Sequence, residues 1–115
     1  MNDYFLYPEE RKSLDSWLLQ RGIRLNSRTR SLFRDPRPVA GLVAKIHKDL
    51  VDLSVYKACS SHSMILNSWK IFEIQVLDKL NIGVSEVDLE NLGLGTKGAI
   101  DQLLYCIMYT ETETL

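Results

Sequence analysis

Apolar residues recur at helical spacing along most of this chain, and no stretch alternates long enough to build a sheet. Leu14, Trp17 and Leu18 fall at i, i+3 and i+4 behind Pro8-Glu9-Glu10-Arg11. That run suits a helix start, because proline has no N–H to leave unpaired and acids favour the positive end of the helix. Gly22 stops this first helix. After Pro38, the series Val39, Leu42, Val43, Ile46 and Leu50 predicts a second amphipathic helix. Ser61 to Ser63 offer a cap for a third. Its broad stripe (Ile65, Leu66, Trp69, Phe72, Ile74, Val76, Leu77, Leu80) makes it the expected centre of the core. Asn81-Ile82-Gly83 closes it. A short helix restarts at Ser85-Glu86-Val87-Asp88 and ends at the glycines 93 and 95. Residues Gly98 to Tyr109 form the last, with Ile100, Leu103, Leu104, Ile107 and Met108 facing in. The fold class is all-α.

A chain of 115 residues with 45% hydrophobic and 25% charged content builds one domain around one core. We place that domain at residues 8–109, after an N-terminal extension at 1–7 and before a frayed Thr/Glu tail at 110–115. Leu14, Trp17, Leu42, Ile46, Trp69, Leu77 and Leu104 are the expected core. Arg24 to Pro38 is read as a connecting segment, since its Ser/Thr/Asn/Arg content and Asp35-Pro36-Arg37-Pro38 argue against a long regular element. Leu25, Leu32 and Phe33 are expected to tuck inward from it while the arginines stay in water. Val51 to Tyr56 is too short and isolated for a strand and is read as a loop or single turn.

Charge is the first functional clue. Between Arg21 and Arg37 lie six arginines (Arg21, Arg24, Arg28, Arg30, Arg34, Arg37) and a single acid, Asp35. From Arg11 to Lys48 there are ten Lys/Arg against two Asp/Glu, whereas from Ile71 onward there are two lysines against eight acids. The net charge is only −1, so this is a dipolar chain, and its basic end suits a polyanion. The pattern points to binding rather than catalysis.

The order of landmarks resembles a known family. Trp17 precedes Arg28, Arg30 and Arg34-Asp35; then come Gly41-Leu42-Val43-Ala44 and Asp49-Leu50-Val51-Asp52-Leu53, ending at Tyr56. Leu66-Asn67-Ser68-Trp69, Val76-Leu77, Leu80-Asn81 and Lys97-Gly98-Ala99-Ile100 follow. This is similar to the calponin-homology-like domain of the sperm flagellar protein 1 (CLAMP) family, over roughly Pro8 to Tyr109 on the single-domain reading. The resemblance implies an all-α domain on the microtubule surface of cilia or flagella, with basic residues after the first helix contributing to tubulin binding. Arg28 and Arg30 occupy that place, flanked by Arg24 and Arg34. The family's acidic-glycine turn is replaced by Pro36-Arg37-Pro38-Val39-Ala40-Gly41, which makes this surface more basic. Longer members continue into a dimerising coiled coil.

Arg24, Arg28, Arg30, Arg34 and Arg37, with Lys12 and Lys45 in support, are therefore the expected contacts to the acidic surface of tubulin, which guanidinium groups match as bidentate donors. The acidic C-terminal half is open to other axonemal proteins. A nucleic-acid reading uses the same arginines on phosphates, but a proline-punctuated loop does not enter a major groove. Actin binding is a third reading. His47 and His62 have no metal or acid–base companions, and Cys59 and Cys106 match no metal or redox spacing. Gly93-Leu94-Gly95-Thr96-Lys97-Gly98 departs from the phosphate-loop order and is read as a turn and helix start. No catalytic residue, metal or cofactor is implied. No apolar run approaches the roughly 18 residues of a membrane span, and the N-terminus lacks a secretory layout, so an intracellular, cytoskeletal protein is expected. Asn67, beside Trp69, is read as a structural residue tying a loop backbone in place.

Overall fold

The computed structural model describes residues 4–113, with side-chain surroundings through residue 111. Six α-helices account for the regular structure of that stretch: α1 (Pro8–Leu19), α2 (Ser27–Leu32), α3 (Arg37–Ile46), α4 (His62–Phe72), α5 (Glu86–Leu94) and α6 (Ala99–Glu113). A single 3₁₀ turn at Leu53–Val55 occupies the segment read as a loop or turn. No strand is present among the described residues, so the all-α class holds. Helix α6 runs against α1, α3 and α5, and α4 packs on α5, which makes α6 the central element.

Local chemistry accounts for most helix ends. Glu10 accepts the backbone N–H of Tyr7 at 2.8 Å, and Pro8 opens α1. Gly22 (φ +74°) lets Ile23 N–H return to Leu18 O at 3.0 Å, closing α1 where the sequence placed its stop. Ser61 caps α4 by accepting Met64 N–H. Ser85 and Asp88 form a reciprocal capping box on α5 at 2.9 and 3.0 Å. Gly95 (φ +74°) ends α5 in the left-handed conformation.

The core is Leu14, Trp17, Leu18, Phe33, Val39, Leu42, Val43, Trp69, Phe72, Val76, Leu77, Leu89, Leu92, Ile100, Leu103, Leu104 and Ile107, joined by Tyr56 and by Ala40 and Ala99. Of the seven expected core residues, Ile46 alone differs: it lies in the last turn of α3 and is only partly buried at the edge.

Four further expectations are corrected. Residues 24–38 are not one connecting segment, because Asn26 accepts Thr29 N–H at 3.0 Å and nucleates α2, while Arg37 already begins α3. Leu32 does not tuck in; it is 63% exposed, whereas the next residue, Phe33, is buried. Helix α4 changes winding after Phe72. Glu73–Leu77 is π-helical, with Asp78 N–H on Glu73 O at 2.9 Å; Val76 and Leu77 are buried, whereas Ile74, two residues after Phe72 and so on the opposite side of the helix, is exposed. Last, α6 continues to Glu113 with Thr110 buried, so residues 110–113 are helical. Residues 114 and 115 of the expected tail lie outside the described residues.

Residues 4–7 of the N-terminal extension are tied to the domain. The Tyr4 hydroxyl donates to Asp88 Oδ1 at 2.6 Å and accepts from Asn91 Nδ2 at 3.1 Å, and Asn91 Oδ1 accepts from Thr96 at 2.9 Å. Gly98 (φ +84°) makes room for this strap, since a Cβ there would sit 2.5 Å from Tyr4 O.

Candidate arginine surface

The arginines divide into two groups once the chain folds. Arg30, on α2, aims its planar fork at Asp101 in the first turn of α6, with Nε–Oδ1 at 3.0 Å and Nη2–Oδ2 at 2.9 Å. Arg11 of α1 reaches the same carboxylate, Nη1–Oδ2 at 2.7 Å. Asp101 is almost wholly buried, and one acid thereby joins α1, α2 and α6. Burial alone would raise its pKa. The hydrogen bonds and charges of Arg30 and Arg11 outweigh that and leave the carboxyl below the usual range. The same hydrogen bond, opposed by burial, raises Arg30 above its ordinary value.

Arg34 serves as a strap. Its Nε donates to Gly93 O at 3.1 Å, its side chain lies over Gly95, and its carbonyl accepts the Trp69 indole N–H at 2.8 Å. Trp69 therefore takes the role expected of Asn67, which is exposed. Arg21 lies 4.2 Å from the Trp17 ring centre and pairs with Glu111, Nη2–Oε2 at 2.6 Å, while the Trp17 indole N–H donates to Glu111 Oε1 at 2.8 Å. Led by that indole hydrogen bond, and helped by Arg21 against the opposing effect of partial burial, the Glu111 carboxyl falls below its usual pKa. Arg37 pairs locally with Asp35 at 3.1 Å and stays about half exposed.

Arg24 and Arg28 differ from all of these. Both are exposed, and neither forms an ion pair with another described residue. They flank the Asn26 cap, Arg24 just before α2 and Arg28 on its first turn, and the Thr29 hydroxyl fixes the approach by donating to Arg24 O at 2.7 Å. Lys12 on α1 and Lys45 on α3 are also exposed and unpaired among the described residues. The basic half and the acidic half are therefore not two separate ends. Arg11, Arg21 and Arg30 are bonded to Asp101 and Glu111, and the free cationic surface is narrower than the sequence dipole suggests.

That internal pairing had a signal in the sequence. Asp101 precedes Leu104 by three positions and Met108 by seven, so it is an acid on the inward stripe of α6 and needs a cationic partner. Glu111 follows Ile107 by four on the same side. Their partners lie on helices distant in sequence, so neighbouring residues do not reveal the pairing.

His47 Nε2 lies 3.0 Å from the Thr110 hydroxyl, while His62 is exposed. Among the described residues, no group of three or more His, Cys, Asp or Glu is placed to hold a metal ion, and no helix is long and apolar enough to cross a membrane. Cys106 is half-buried, and burial pushes its thiol pKa up; at Cys59, which is less buried, burial and the nearby Asp35 charge shift the thiol the same way.

No curated protein sequence matches this chain. Residues 14–109, by contrast, match the family described as CH-like domain in sperm protein, a span that begins at the first core residue of α1 and ends in α6. With most of its length covered and every helix except the start of α1 and the end of α6 inside the match, the chain belongs to this family of CH-like domains.

Proposed function

We propose that this chain is a microtubule-binding structural module of cilia or flagella, of the CLAMP type, which contacts the acidic tubulin surface through Arg24 and Arg28. A CH-like domain is a cytoskeleton-related binding module, and that is the frame for the reading. The observation that carries it is that these two guanidinium groups, beside the Asn26 cap, form no ion pair among the described residues, on a segment anchored by Phe33 and by the Arg30–Asp101 pair. Arg37, Lys12 and Lys45 add exposed positive charge. Arg30 and Arg34 hold the platform instead of serving as its contact face. Any axonemal partner of the acidic half meets the exposed acids of α5: Glu86, which lies 4.0 Å from Lys70, and Glu90.

One argument against nucleic acid is weakened by the structure, since Arg28 lies on a helix and not on a loop. At six residues, however, α2 spans only about 9 Å, and its second arginine is bonded to Asp101. The test is co-sedimentation with stabilised microtubules across a salt series. Arg24→Glu/Arg28→Glu is compared with wild type after circular dichroism shows that both are folded. Wild type should pellet at low salt and release as salt rises, with affinity in the variant lower by about tenfold or more. Equal pelleting of the two proteins, or none by wild type at low ionic strength, overturns the reading. Parallel runs with filamentous actin and duplex DNA identify which rival takes its place.

A further inference from the structure

We propose that Ser27 is a phosphorylation site for a serine/threonine kinase that reads arginine three residues before its target, and that the phosphate switches off the free arginine pair. The regulatory half of this inference rests on the proposed function; the modification itself does not.

Three hydroxyls lie among these arginines, Ser27, Thr29 and Ser31, and two of them have arginine at the third position before: Arg24 for Ser27 and Arg28 for Ser31. The fold separates the three. Thr29 has its hydroxyl bonded to Arg24 O at 2.7 Å and to Asn26 Oδ1 at 3.2 Å, and is partly buried. Ser31 is exposed, but all of its preceding recognition residues, 28–30, are helical, and one of them is Arg30, bonded to Asp101. A kinase reading extended chain would have to unwind α2 and break that pair.

Ser27 needs neither. Residues 24–26 lie before the helix, Asn26 has extended backbone (φ −131°, ψ −177°), and Ser27 is the exposed first residue of α2. Helix α2 contributes no buried residue of its own, so fraying its first turn exposes little apolar surface. The kinase transfers the γ-phosphoryl group of a nucleoside triphosphate to Ser27 Oγ. The hydroxyl proton goes to the kinase's base and the nucleoside diphosphate leaves.

The product carries about −1.5 to −2 charge at pH 7 at a position between Arg24 and Arg28 in sequence, which form no ion pair among the described residues, and supplies acceptor oxygens for both. It cancels the charge of the surface proposed to meet tubulin and leaves Arg30 on Asp101.

The intact protein is incubated with an arginine-directed kinase and ATP, and the modified residue is mapped by fragmentation mass spectrometry. One phosphate on Ser27 is expected, lost in Ser27→Ala, slowed about tenfold in Arg24→Gln, and unchanged in Thr29→Ala. Phosphate on Ser31 or Thr29 instead overturns the assignment. So does failure of the folded protein to be modified while a peptide of residues 20–32 is modified readily. The modified protein should then lose about tenfold in microtubule affinity. Normal binding after full Ser27 phosphorylation overturns the switch. Absence of binding by unmodified protein overturns the proposed function, and the mapping still decides the site.

Discussion

Arg30 grips Asp101 through two hydrogen bonds of 3.0 and 2.9 Å, and this pair clasps α2 to α6. Asp101 also receives Arg11, so losing the acid leaves two cations facing one another at a buried position. Breaking a fully buried pair costs roughly 3–5 kcal/mol. Here the arginine side chains are 36% and 40% exposed, and water compensates in part. Asp101→Asn should therefore lower unfolding free energy by about 2 kcal/mol, read by tryptophan fluorescence in urea. Arg28→Glu should stay within about 0.5 kcal/mol of wild type, as an exposed residue without a partner does. Equal losses in the two variants would mean that the clasp carries no special weight.

The same carboxylate sets the acid response. Asp101 and Glu111 both have native pKa values below the ordinary carboxylate range, for the reasons given above. The unfolded chain then takes up protons before the folded one as pH drops. Their contribution is complete above the unfolded values of about 4, and is lost as pH falls through the lower native values. Urea midpoints measured from pH 7 down to pH 3 should fall more steeply in wild type than in Asp101→Asn, with the gap closing toward the acid end. Parallel curves would remove Asp101 from the acid response.

Much of this architecture is legible in the residues. The stripe Leu14, Trp17, Leu18 and the stripe Ile100, Leu103, Leu104, Ile107 each describe one face of one helix, and Gly22, Ser85 and Gly95 act where their chemistry says they should. Helix α2 was hidden because six residues give no apolar period, and its cause is one side-chain bond from Asn26. The π-helical turn was hidden too, since nothing in Glu73–Leu77 distinguishes it from a regular helix, whereas the exposure of Ile74 was legible in its spacing, two residues after Phe72 and five after Trp69. For the candidate surface, the sequence locates the arginines but not their partners. Whether an arginine is free depends on acids 71 and 90 positions away, as at Arg30 with Asp101 and Arg21 with Glu111. Local spacing carries no information about such pairs.

Gly98 offers a test of how the N-terminal strap is held. Its φ of +84° strains any residue with a Cβ, and that Cβ would press on the Tyr4 backbone at 2.5 Å, where no flexible side chain can yield. Gly98→Ala should cost about 2 kcal/mol or more and displace Tyr4 from Asp88. Tyr4→Phe removes only the hydroxyl bonds and should cost about 1 kcal/mol. Denaturation of both variants in urea checks the order, and a milder effect from Gly98→Ala than from Tyr4→Phe would contradict the steric account.

Trp17, Arg21 and Glu111 form the clasp at the other end of α6, and it explains why the helix continues past residue 110. The Glu111 carboxylate takes the Trp17 indole N–H and the Arg21 fork together, and Arg21 is also stacked on the Trp17 ring. Glu111→Ala leaves the largely buried indole N–H without this acceptor, at a cost of about 1–2 kcal/mol. Amide exchange in residues 108–113 should quicken in that variant while the amides of Leu103 and Leu104 stay protected, because the loss is local to the last turns. In a double-mutant cycle with Trp17→Phe, the two changes should cost less together than their sum, by at least about 0.5 kcal/mol, since either one already removes the same bond. Strict additivity, or unchanged exchange at the end of α6, would assign the helix extension to its buried Thr110 and not to the clasp.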